Sequence, residues 1–266
     1  MRLLCLDIGN TSTHPAFVHG PGLSLECPPT VMPIADIPTA QLAAQLPDLV
    51  NALAAERLDG LAFSSVVPVA TAALRAALAS MGCTLPVFQL TWQHCPDLPL
   101  LVDEPRTVGQ DRIAAGLAAK FYHPLPSIVL DMGTAVTCDW ISERGYEGGL
   151  IAPGLAIMAS YMHEKTAQLP LLDPSDLRTP PGLGRNTVDQ MKQGSAAGFA
   201  GMIGGLIAWV SDEMARSGIQ PACILATGGT AKFLPETLRS QLRYADTLTV
   251  EGIYAGCVRW HSQASV

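Results

Sequence analysis

The sequence has few positive charges and no cluster of them. Its 16 Lys and Arg residues are outnumbered by 23 Asp and Glu residues, the formal net charge is -7, and no run of Lys and Arg exceeds a pair. Proteins that bind nucleic acid normally present a basic face. We therefore expect no nucleic-acid partner, and we expect a small anionic ligand to be held locally by backbone N–H groups and one or two Arg side chains.

The cysteines also lack the spacing that a metal site or a redox motif would use. There are seven, an odd number, scattered from Cys5 to Cys257 with no C-x-x-C pair. A disulfide framework or a zinc site would need them to be clustered. Reduced thiols in a cytoplasmic protein are the expected state.

No membrane partner and no signal peptide are expected. Asp7 interrupts the apolar start of the chain too early for a signal peptide. Residues 194–210 carry no charge and have glycine every three or four positions, which resembles a small-xxx-small membrane helix. Because about 17 weakly hydrophobic residues are short for a span, we expect a buried helix of a soluble protein. Its glycines would allow close helix packing, within one subunit or across a dimer.

The length and composition allow either one large domain or two smaller lobes. The chain has 266 residues, of which 48% are apolar and 15% charged, so a sizeable core can form. The order of the predicted elements favours two lobes. A first half of alternating strands and helices is followed, from residue 127, by a second strand–turn–strand start.

A short motif stands at the head of each half. Residues 3–11 read LLCLDIGNT and residues 128–135 read IVLDMGTA, so that Asp7 and Asp131 are 124 positions apart. One Asp-x-Gly turn is weak evidence because such turns are common. Two of them, each following an apolar strand and opening a hairpin, are much stronger evidence for a duplicated site. A third glycine turn, at 227–229, follows a strand in the second half.

These turns suit the binding of a nucleoside triphosphate. Glycine lets backbone N–H groups approach phosphate oxygens, and short hydroxyl and amide side chains add donors. A carboxylate repels phosphate, so Asp7 and Asp131 make sense as partners of a cation that bridges to phosphate, directly or through water. The 227–229 turn can pack under a base or a ribose. The alternative interpretation is that all three are ordinary hairpin turns.

The order of the motifs resembles a known family. The two similar halves look like the superfamily of acetate kinases, sugar kinases, heat-shock chaperones and actin, and the whole chain is similar to its type III pantothenate kinases. The matching segments are Asp7-x-Gly9-Asn10-Thr11, Gly109-Gln110-Asp111-Arg112, Asp131-x-Gly133-Thr134-Ala135 with Thr137, Gly148-Gly149-x-Ile151-x-Pro153-Gly154, Gly184-Arg185-Asn186-Thr187 with Gly194, Thr227-Gly228-Gly229, and Leu248-Thr249-Val250-Glu251-Gly252.

The resemblance implies an α/β fold of two ribonuclease-H-like lobes, residues 1–120 and 121–266, each a mixed sheet flanked by helices, facing each other across a nucleotide cleft. It implies transfer of the ATP γ-phosphoryl group to the primary hydroxyl of pantothenate, the first step of coenzyme A biosynthesis. It also implies a cytoplasmic homodimer that uses Mg²⁺ with ATP and a monovalent cation, K⁺ or NH₄⁺.

The resemblance also assigns roles to individual residues. Asp111 becomes the catalytic base that accepts the hydroxyl proton, and Asp131 the ligand of the monovalent cation. Asp7 becomes the residue that contacts Mg²⁺ through water. The residues assigned to the substrate are Gly109, Gln110, Arg112, Thr187 and Val102. Those assigned to ATP are Asp7, Ile8, Gly9, Asn10, Thr11, Ser12, Thr13, His14, Gly133 and Thr134.

Each role has a structural alternative. Asp111 could satisfy N–H groups at the start of its helix, and Arg112 could pair with Asp111 instead of with the pantothenate carboxylate. Thr187 could be a helix cap, and Asp131 a simple turn residue.

The sequence departs from the family pattern at three places. Val102 stands where the family usually has Tyr, Gln110 replaces Ala, and residues 12–15 (Ser-Thr-His-Pro) replace a basic residue and a smooth strand. A weakened or non-catalytic regulatory homologue that binds nucleotide or pantothenate is therefore a second hypothesis. A third is a phosphatase of polyphosphate or guanosine pentaphosphate, which would use water as the acceptor and usually a Glu base.

Overall fold

The chain divides into two compact units in a computed structural model that describes residues 1–21, 24–52, 56–173, 177 and 182–264. The first unit contains Met1–Leu125, Ile141–Gly148 and Thr247–Val266. The second contains Pro126–Trp140 and Gly149–Asp246.

The first sheet has six strands: β1 (Arg2–Ile8), β2 (Ser12–His19), β3 (Thr30–Pro33), β4 (Ile37–Pro38), β5 (Gly60–Ser65) and β6 (Val87–Gln89). Their order is β3-β2-β1-β5-β6, with β4 also paired to β2. The central strand β1 is antiparallel to β2 and parallel to β5. The helices of this part of the chain are α1 (Leu42–Ala52), α2 (Pro68–Ser80), α3 (Gln110–Tyr122) and α7 (Leu248–Ala264).

Helices cover both faces of β1, which explains its nearly continuous apolar sequence. Leu4, Leu6 and Ile8 belong to a core cluster with residues of α1 and α2. Alternate residues of a strand point to opposite faces. Cys5 therefore faces Cys257 of α7, and burial together with this neighbour raises the pKa of the Cys5 thiol. By the same alternation, Asp7 at the end of the strand points to the side that carries α3.

The second sheet has five strands: β7 (Ser127–Met132), β8 (Ala135–Ile141), β9 (Tyr146–Pro153), β10 (Cys223–Thr227) and β11 (Arg243–Tyr244). Their order is β11-β10-β7-β8-β9, and β10 runs parallel to both β7 and β11. The helices are α4 (Leu155–Glu164), the long α5 (Thr187–Arg216) and the short α6 (Glu236–Arg239). Phe199 and Ile203 of α5 share a core cluster with Ile128 and Leu130 of β7.

The predicted fold class is confirmed, because each half contains a mixed sheet with flanking helices. Each sheet is entered through the same strand–turn–strand start, β1–β2 in one and β7–β8 in the other. The compact units nevertheless differ from a division at residue 120. The helix α7 belongs to the first unit, where it packs so closely on α3 that a Cβ at Gly252 would lie 1.7 Å from the carbonyl oxygen of Ala114.

The strand β2 begins earlier than the sequence suggested. We expected it to start after Pro15, whereas it runs from Ser12 through Pro15 to His19. The carbonyl of Pro15 accepts a hydrogen bond from the N–H of Ile34, so the missing N–H of Pro15 also faces away from β1. The β1 ladder therefore loses no hydrogen bond, which is why the strand tolerates proline.

Residues 230–243, which we expected to be largely helical, are mostly irregular. They contain a short 3-10 turn (Ala231–Phe233), the four-residue α6, and the start of the edge strand β11. Part of the predicted loop at 170–186, namely 174–176 and 178–181, lies outside the described residues.

The helix predicted around residues 194–210 is present within α5, but only one face of it is buried. Ser195, Phe199, Ile203 and Ile207 face the core, whereas Trp209 is 68% exposed. By length and composition alone, α5 is also the one helix of the described chain that could cross a membrane, and only 28% of its apolar window is buried. The prediction of a buried helix therefore holds for one face of α5 only.

Candidate active site

The carboxylate of Asp7 lies at the end of β1 and is held by the neighbouring strand. Asp7 pairs in register with Ser64 of β5, and the Ser64 hydroxyl donates a hydrogen bond to Asp7 Oδ1 at 2.9 Å. Ser64 is fully buried, and Asp7 is partly buried. Because the two strands are parallel, their carboxyl ends meet at the same edge of the sheet.

The carboxylate of Asp111 lies in the first turn of α3. It occupies the space that a side chain at position 109 would need, which explains the glycine there. A Cβ at Gly109 would lie 2.4 Å from Asp111 Oδ1. The same oxygen accepts a hydrogen bond from the backbone N–H of Arg112 at 2.8 Å. Asp111 therefore does satisfy a helix N–H, as the structural alternative expected, and this bond orients its carboxylate.

The two carboxyl groups are electrostatically coupled. Burial and then the charge of Asp111 raise the pKa of Asp7 to about 6, against the smaller opposing effects of Ser64 and His14. Burial also raises the pKa of Asp111, although the Arg112 N–H and charge lower it again. Two acidic groups that are hard to ionise together form the kind of site that a cation stabilises.

The turn between β1 and β2 presents short polar side chains. The Gly9 N–H donates to the Ser12 carbonyl at 3.1 Å, and a Cβ at Gly9 would lie 3.0 Å from that oxygen. Thr39 supports the turn, since its hydroxyl donates to the Gly9 carbonyl at 2.7 Å. Asn10 and Thr11 are exposed at the tip, which suits a loop that receives phosphate groups.

The other residues predicted to contact ATP occupy different environments. Ile8 and Thr13 are fully buried, so their side chains belong to the core and only backbone atoms could face a ligand. Ser12 is partly buried, whereas His14 is exposed and lies 2.8 Å from Asp36. His14 is part of strand β2 and pairs in register with Asp7 of β1.

The side chain of Arg112 lies over an aromatic ring. Its guanidinium carbon is 5.7 Å from the centre of the Tyr146 ring, which is buried. The backbone of Tyr146 is also held, because its carbonyl accepts a hydrogen bond from the N–H of Leu101 at 2.9 Å. Val102, which follows Leu101, therefore belongs to a segment attached to Tyr146. Stacking on an aromatic ring restrains a guanidinium for recognition of a carboxylate.

The second unit contains the other Asp-x-Gly turn. Asp131 is near the end of β7, and the Gly133 N–H donates to the Ala135 carbonyl at 3.1 Å. The Thr134 carbonyl accepts the N–H of Gly154 at 3.1 Å, and a Cβ at Gly154 would lie 2.3 Å from that oxygen. This close approach explains why the motif needs a glycine at position 154.

The third glycine turn packs directly on the second. Gly228 has a φ of 95°, and a Cβ there would lie 2.5 Å from the backbone of Met132. The Tyr244 hydroxyl donates to the Gly228 carbonyl at 2.6 Å. Burial, Asp246 and Asp131 raise the pKa of Tyr244. A cavity of about 380 Å³ adjoins this turn and is lined by Ala231, Lys232, Glu236, Arg239, Leu242 and Tyr244.

Thr187 is the first residue of α5 and is exposed. It is not the helix cap, which was its structural alternative. The cap is Asn186, whose side-chain oxygen accepts the N–H of Asp189 at 2.9 Å and whose amide donates to the Asp189 carboxylate at 2.7 Å.

Sequence reasoning missed the residues that hold the site together. Ser64 and Thr39 were not predicted, although they fix Asp7 and the Gly9 turn. The signal that could have found Ser64 is its place at the end of an apolar strand, since a parallel neighbour of β1 must end beside Asp7. Thr39 lies in an irregular segment and has no comparable signal.

Within the described ranges, no group of three or more His, Cys, Asp or Glu side chains could hold a metal ion. The donors beside Asp7 are nevertheless hard oxygens: its own carboxylate and that of Asp111. Oxygen donors that leave room for water and for phosphate suit Mg²⁺, which is usually bound through one or two carboxylates and the substrate.

Solved structures share the fold of the whole chain. A proposed Baf family transcriptional activator from Campylobacter jejuni aligns with a TM-score of 0.59 and 17% identity, over 99% of this chain and 100% of that one. The ROK hexokinase from Thermus thermophilus aligns with a TM-score of 0.51 and 14% identity, over 100% of both chains. At these identities the likeness establishes the fold alone, which places the chain in the class of two-lobed α/β proteins.

The sequence comparisons define the family within that class. The family model for type III pantothenate kinases matches residues 3–209. The type III pantothenate kinase of Mycolicibacterium vanbaalenii is 32% identical over 254 residues, which cover 94% of this chain and 93% of that protein. The chain therefore belongs to the type III pantothenate kinase family, and the prediction of a kinase is confirmed.

Proposed function

We propose that the protein phosphorylates pantothenate to 4′-phosphopantothenate with ATP, the first step of coenzyme A biosynthesis. The observation that carries the proposal is the pair formed by Asp7 and Asp111, two coupled acidic groups at one edge of the first sheet in a member of this family. Phosphoryl transfer requires positioning and neutralisation of charge more than covalent help, and the pair can provide both.

Asp111 is the base of the reaction. The primary hydroxyl of pantothenate attacks the γ-phosphorus, the bond from that phosphorus to ADP breaks, and the hydroxyl proton passes to the Asp111 carboxylate. Because burial raises the pKa of Asp111, its carboxylate is a stronger base than an ordinary one. The Arg112 N–H keeps the carboxylate oriented.

The substrate contacts come from the segment around Asp111. Arg112, restrained over Tyr146, pairs with the carboxylate of pantothenate. Gly109 and Gln110 directly precede the base in the chain, and Val102 belongs to the segment tied to Tyr146. Thr187 supplies a further contact from the exposed start of α5.

The triphosphate is bound by residues 7–14 of the first unit. Gly133 and Thr134 of the second unit form another glycine turn that suits phosphate groups. Asp7 contacts Mg²⁺ through water, and bound Mg²⁺ supplies neutralisation of the charge on the transferred group. The cavity beside Gly228 and Tyr244 has the size and the aromatic side chain to receive the nucleotide base.

A monovalent cation, K⁺ or NH₄⁺, is bound at Asp131. In support of this, Asp131 lies near the end of β7 before a glycine turn, and its charge contributes, after burial and Asp246, to the raised pKa of Tyr244. A large monovalent ion suits backbone carbonyls and one carboxylate, and this turn contains both.

The active form is a cytoplasmic homodimer that assembles through α5, with no nucleic-acid or membrane partner. On the exposed face of α5 the Cβ positions of Gly194, Gly201 and Gly205 have no other described atom within 4 Å, and Trp209 projects beside them. Tyr161 of the adjacent α4 is 58% exposed. An exposed face of small and aromatic residues is covered efficiently by the same face of a second copy.

One assay tests the proposal. ADP release is coupled to a spectroscopic signal, with and without pantothenate, in K⁺ and then in Na⁺ buffer. We expect pantothenate-dependent ADP release that is faster in K⁺. Hydrolysis that is independent of pantothenate would point to a phosphatase, and the absence of turnover in every buffer would point to a non-catalytic homologue.

A further inference from the structure

The side chain of Gln110 is engaged by the sheet. The backbone N–H of Ser65 donates a hydrogen bond to Gln110 Oε1 at 2.9 Å, and the amide of Gln89 donates to the same oxygen at 3.4 Å. Gln110 is the first residue of α3, Ser65 the last of β5 and Gln89 the last of β6. One amide oxygen therefore joins the start of a helix to the ends of two strands.

The strand end that Gln110 binds is itself firmly held. Ser65 is buried, and its hydroxyl donates to the Val67 carbonyl at 3.2 Å. The same hydroxyl accepts the Val67 N–H at 3.1 Å and the Thr71 hydroxyl at 2.8 Å. Because these bonds fix Ser65 to the start of α2, its N–H is a stationary point of attachment for the Gln110 side chain.

Two consecutive residues of β5 thus reach both acidic groups of the site. Ser64 binds the Asp7 carboxylate directly at 2.9 Å, and Ser65 binds Gln110, the residue next to Asp111. The hydrogen bond from Arg112 to Asp111 lies within α3, so it orients the carboxylate on the helix but does not attach the helix to the sheet. The Gln110 side chain provides such an attachment.

We propose that Gln110 is a positioning residue whose side-chain oxygen fastens the first turn of α3 to β5 and thereby sets Asp111 against Asp7. In this role the Gln110 side chain serves the reaction through Asp111 and does not itself need to contact pantothenate. The consequence for turnover rests on the proposed function, whereas the attachment to Ser65 does not.

The kinetic test is Gln110→Met, which keeps the length of the side chain and removes the oxygen. We expect kcat to fall roughly tenfold, because a small displacement of a base from its productive geometry is costly. KM for pantothenate and for ATP should stay within about twofold, since no substrate contact is removed. A rise in KM that matches the loss in kcat/KM would mean direct contact with the substrate and would overturn the proposal.

A second measurement does not depend on turnover. Amide hydrogen exchange at Ser65, corrected for intrinsic rates, should be roughly fivefold to tenfold faster in Gln110→Met than in the wild type, as the loss of one hydrogen bond implies. Gln110→Glu keeps an oxygen acceptor and should retain the protection. Unchanged exchange at Ser65 in Gln110→Met, or loss of protection in Gln110→Glu, would contradict the attachment.

The matched control is Gln45→Met in α1, where the side chain bonds only to the exposed Gln41. It should alter neither kcat nor exchange at Ser65. If Gln110→Met does not fold, Gln110→Asn takes its place, because its oxygen is one methylene too short to reach Ser65. If the wild-type protein does not phosphorylate pantothenate, the proposed function fails while exchange at Ser65 still decides whether the attachment exists.

Discussion

Asp7 and Ser64 lie side by side on parallel strands, and the hydroxyl of Ser64 donates to the carboxylate of Asp7 at 2.9 Å. This hydrogen bond favours the ionised form of Asp7, although burial and the charge of Asp111 still raise its pKa to about 6. Burial and Asp111 favour the protonated form of Asp7, whereas the Ser64 hydrogen bond favours the ionised form. Separate substitutions can remove each effect.

Replacing Ser64 by Ala should move the acidic limb of the activity profile to higher pH. Without the donated hydrogen bond the pKa of Asp7 rises further, by about one unit for a bond to a charged group. Activity at pH 6 should then fall more than activity at pH 8, as a kcat/KM profile would show. Ser80→Ala, which removes an exposed hydroxyl bonded within α2, is the control. Identical profiles for the two variants would argue against this role of Ser64.

Asp7→Asn should stabilise the protein at high pH and abolish its activity. The pKa of Asp7 is higher in the folded protein than its ordinary value of 3.8, so ionisation costs folding free energy, at most about 3 kcal/mol. That cost is present above pH 6 and disappears below about pH 4, where the group is protonated in both states. Urea unfolding should show a more stable variant at pH 8 and no difference near pH 4.

The exposed Asp212 on α5 offers the comparison for that experiment. Asp212→Asn removes the same charge without burial, and its stability relative to the wild type should change little between pH 4 and pH 8. A destabilised Asp7→Asn at pH 8 would be incompatible with a raised pKa at this position.

Asp111→Asn should lower turnover at least about a hundredfold, the usual range for the loss of a general base. KM for ATP should change little, because the amide keeps the hydrogen bond from the Arg112 N–H. Steady-state kinetics with both substrates would measure both constants. Turnover like that of the wild type would remove Asp111 from the mechanism, and Asp48→Asn on α1 serves as the control.

Trp209→Glu should dissociate the proposed homodimer. The side chain is 68% exposed in the single chain, and a charge placed at the centre of an apolar contact costs binding energy. Sedimentation velocity would show a mass near 28 kDa for the variant and twice that for the wild type. Trp92→Glu, at another exposed tryptophan far along the sequence, should leave the mass of the wild type unchanged.

The parts of the site that follow from local sequence were predictable. The Asp-x-Gly turns after β1 and β7 are set by an apolar strand followed by residues that tolerate a tight turn. The start of α3 is marked by Gly109 and Asp111. These features need only a few adjacent residues, so their chemistry can be read before the fold is known.

The parts that depend on contacts distant in sequence were not. Thr39 supports Gly9 from 30 positions away, and Ser65 holds Gln110 from 45 positions away. The helix α7 also escaped prediction, because Gly252 and Gly256 weaken helix propensity. Both glycines are explained only by packing, since a Cβ would collide with Ala114 at one and approach Leu90 at the other.

The packing of Gly252 on Ala114 has a consequence for the order in which the protein matures on the ribosome. The partner that covers α3 is encoded after the whole of the second unit, so Ile113 and Leu117, both buried in the finished fold, lack that cover while residues 126–246 are being made. The second unit, Pro126–Trp140 and Gly149–Asp246, is fully synthesised before residues 248–264 are made. The half that begins the chain is therefore the last to be completed, which reverses the usual order for a nascent protein.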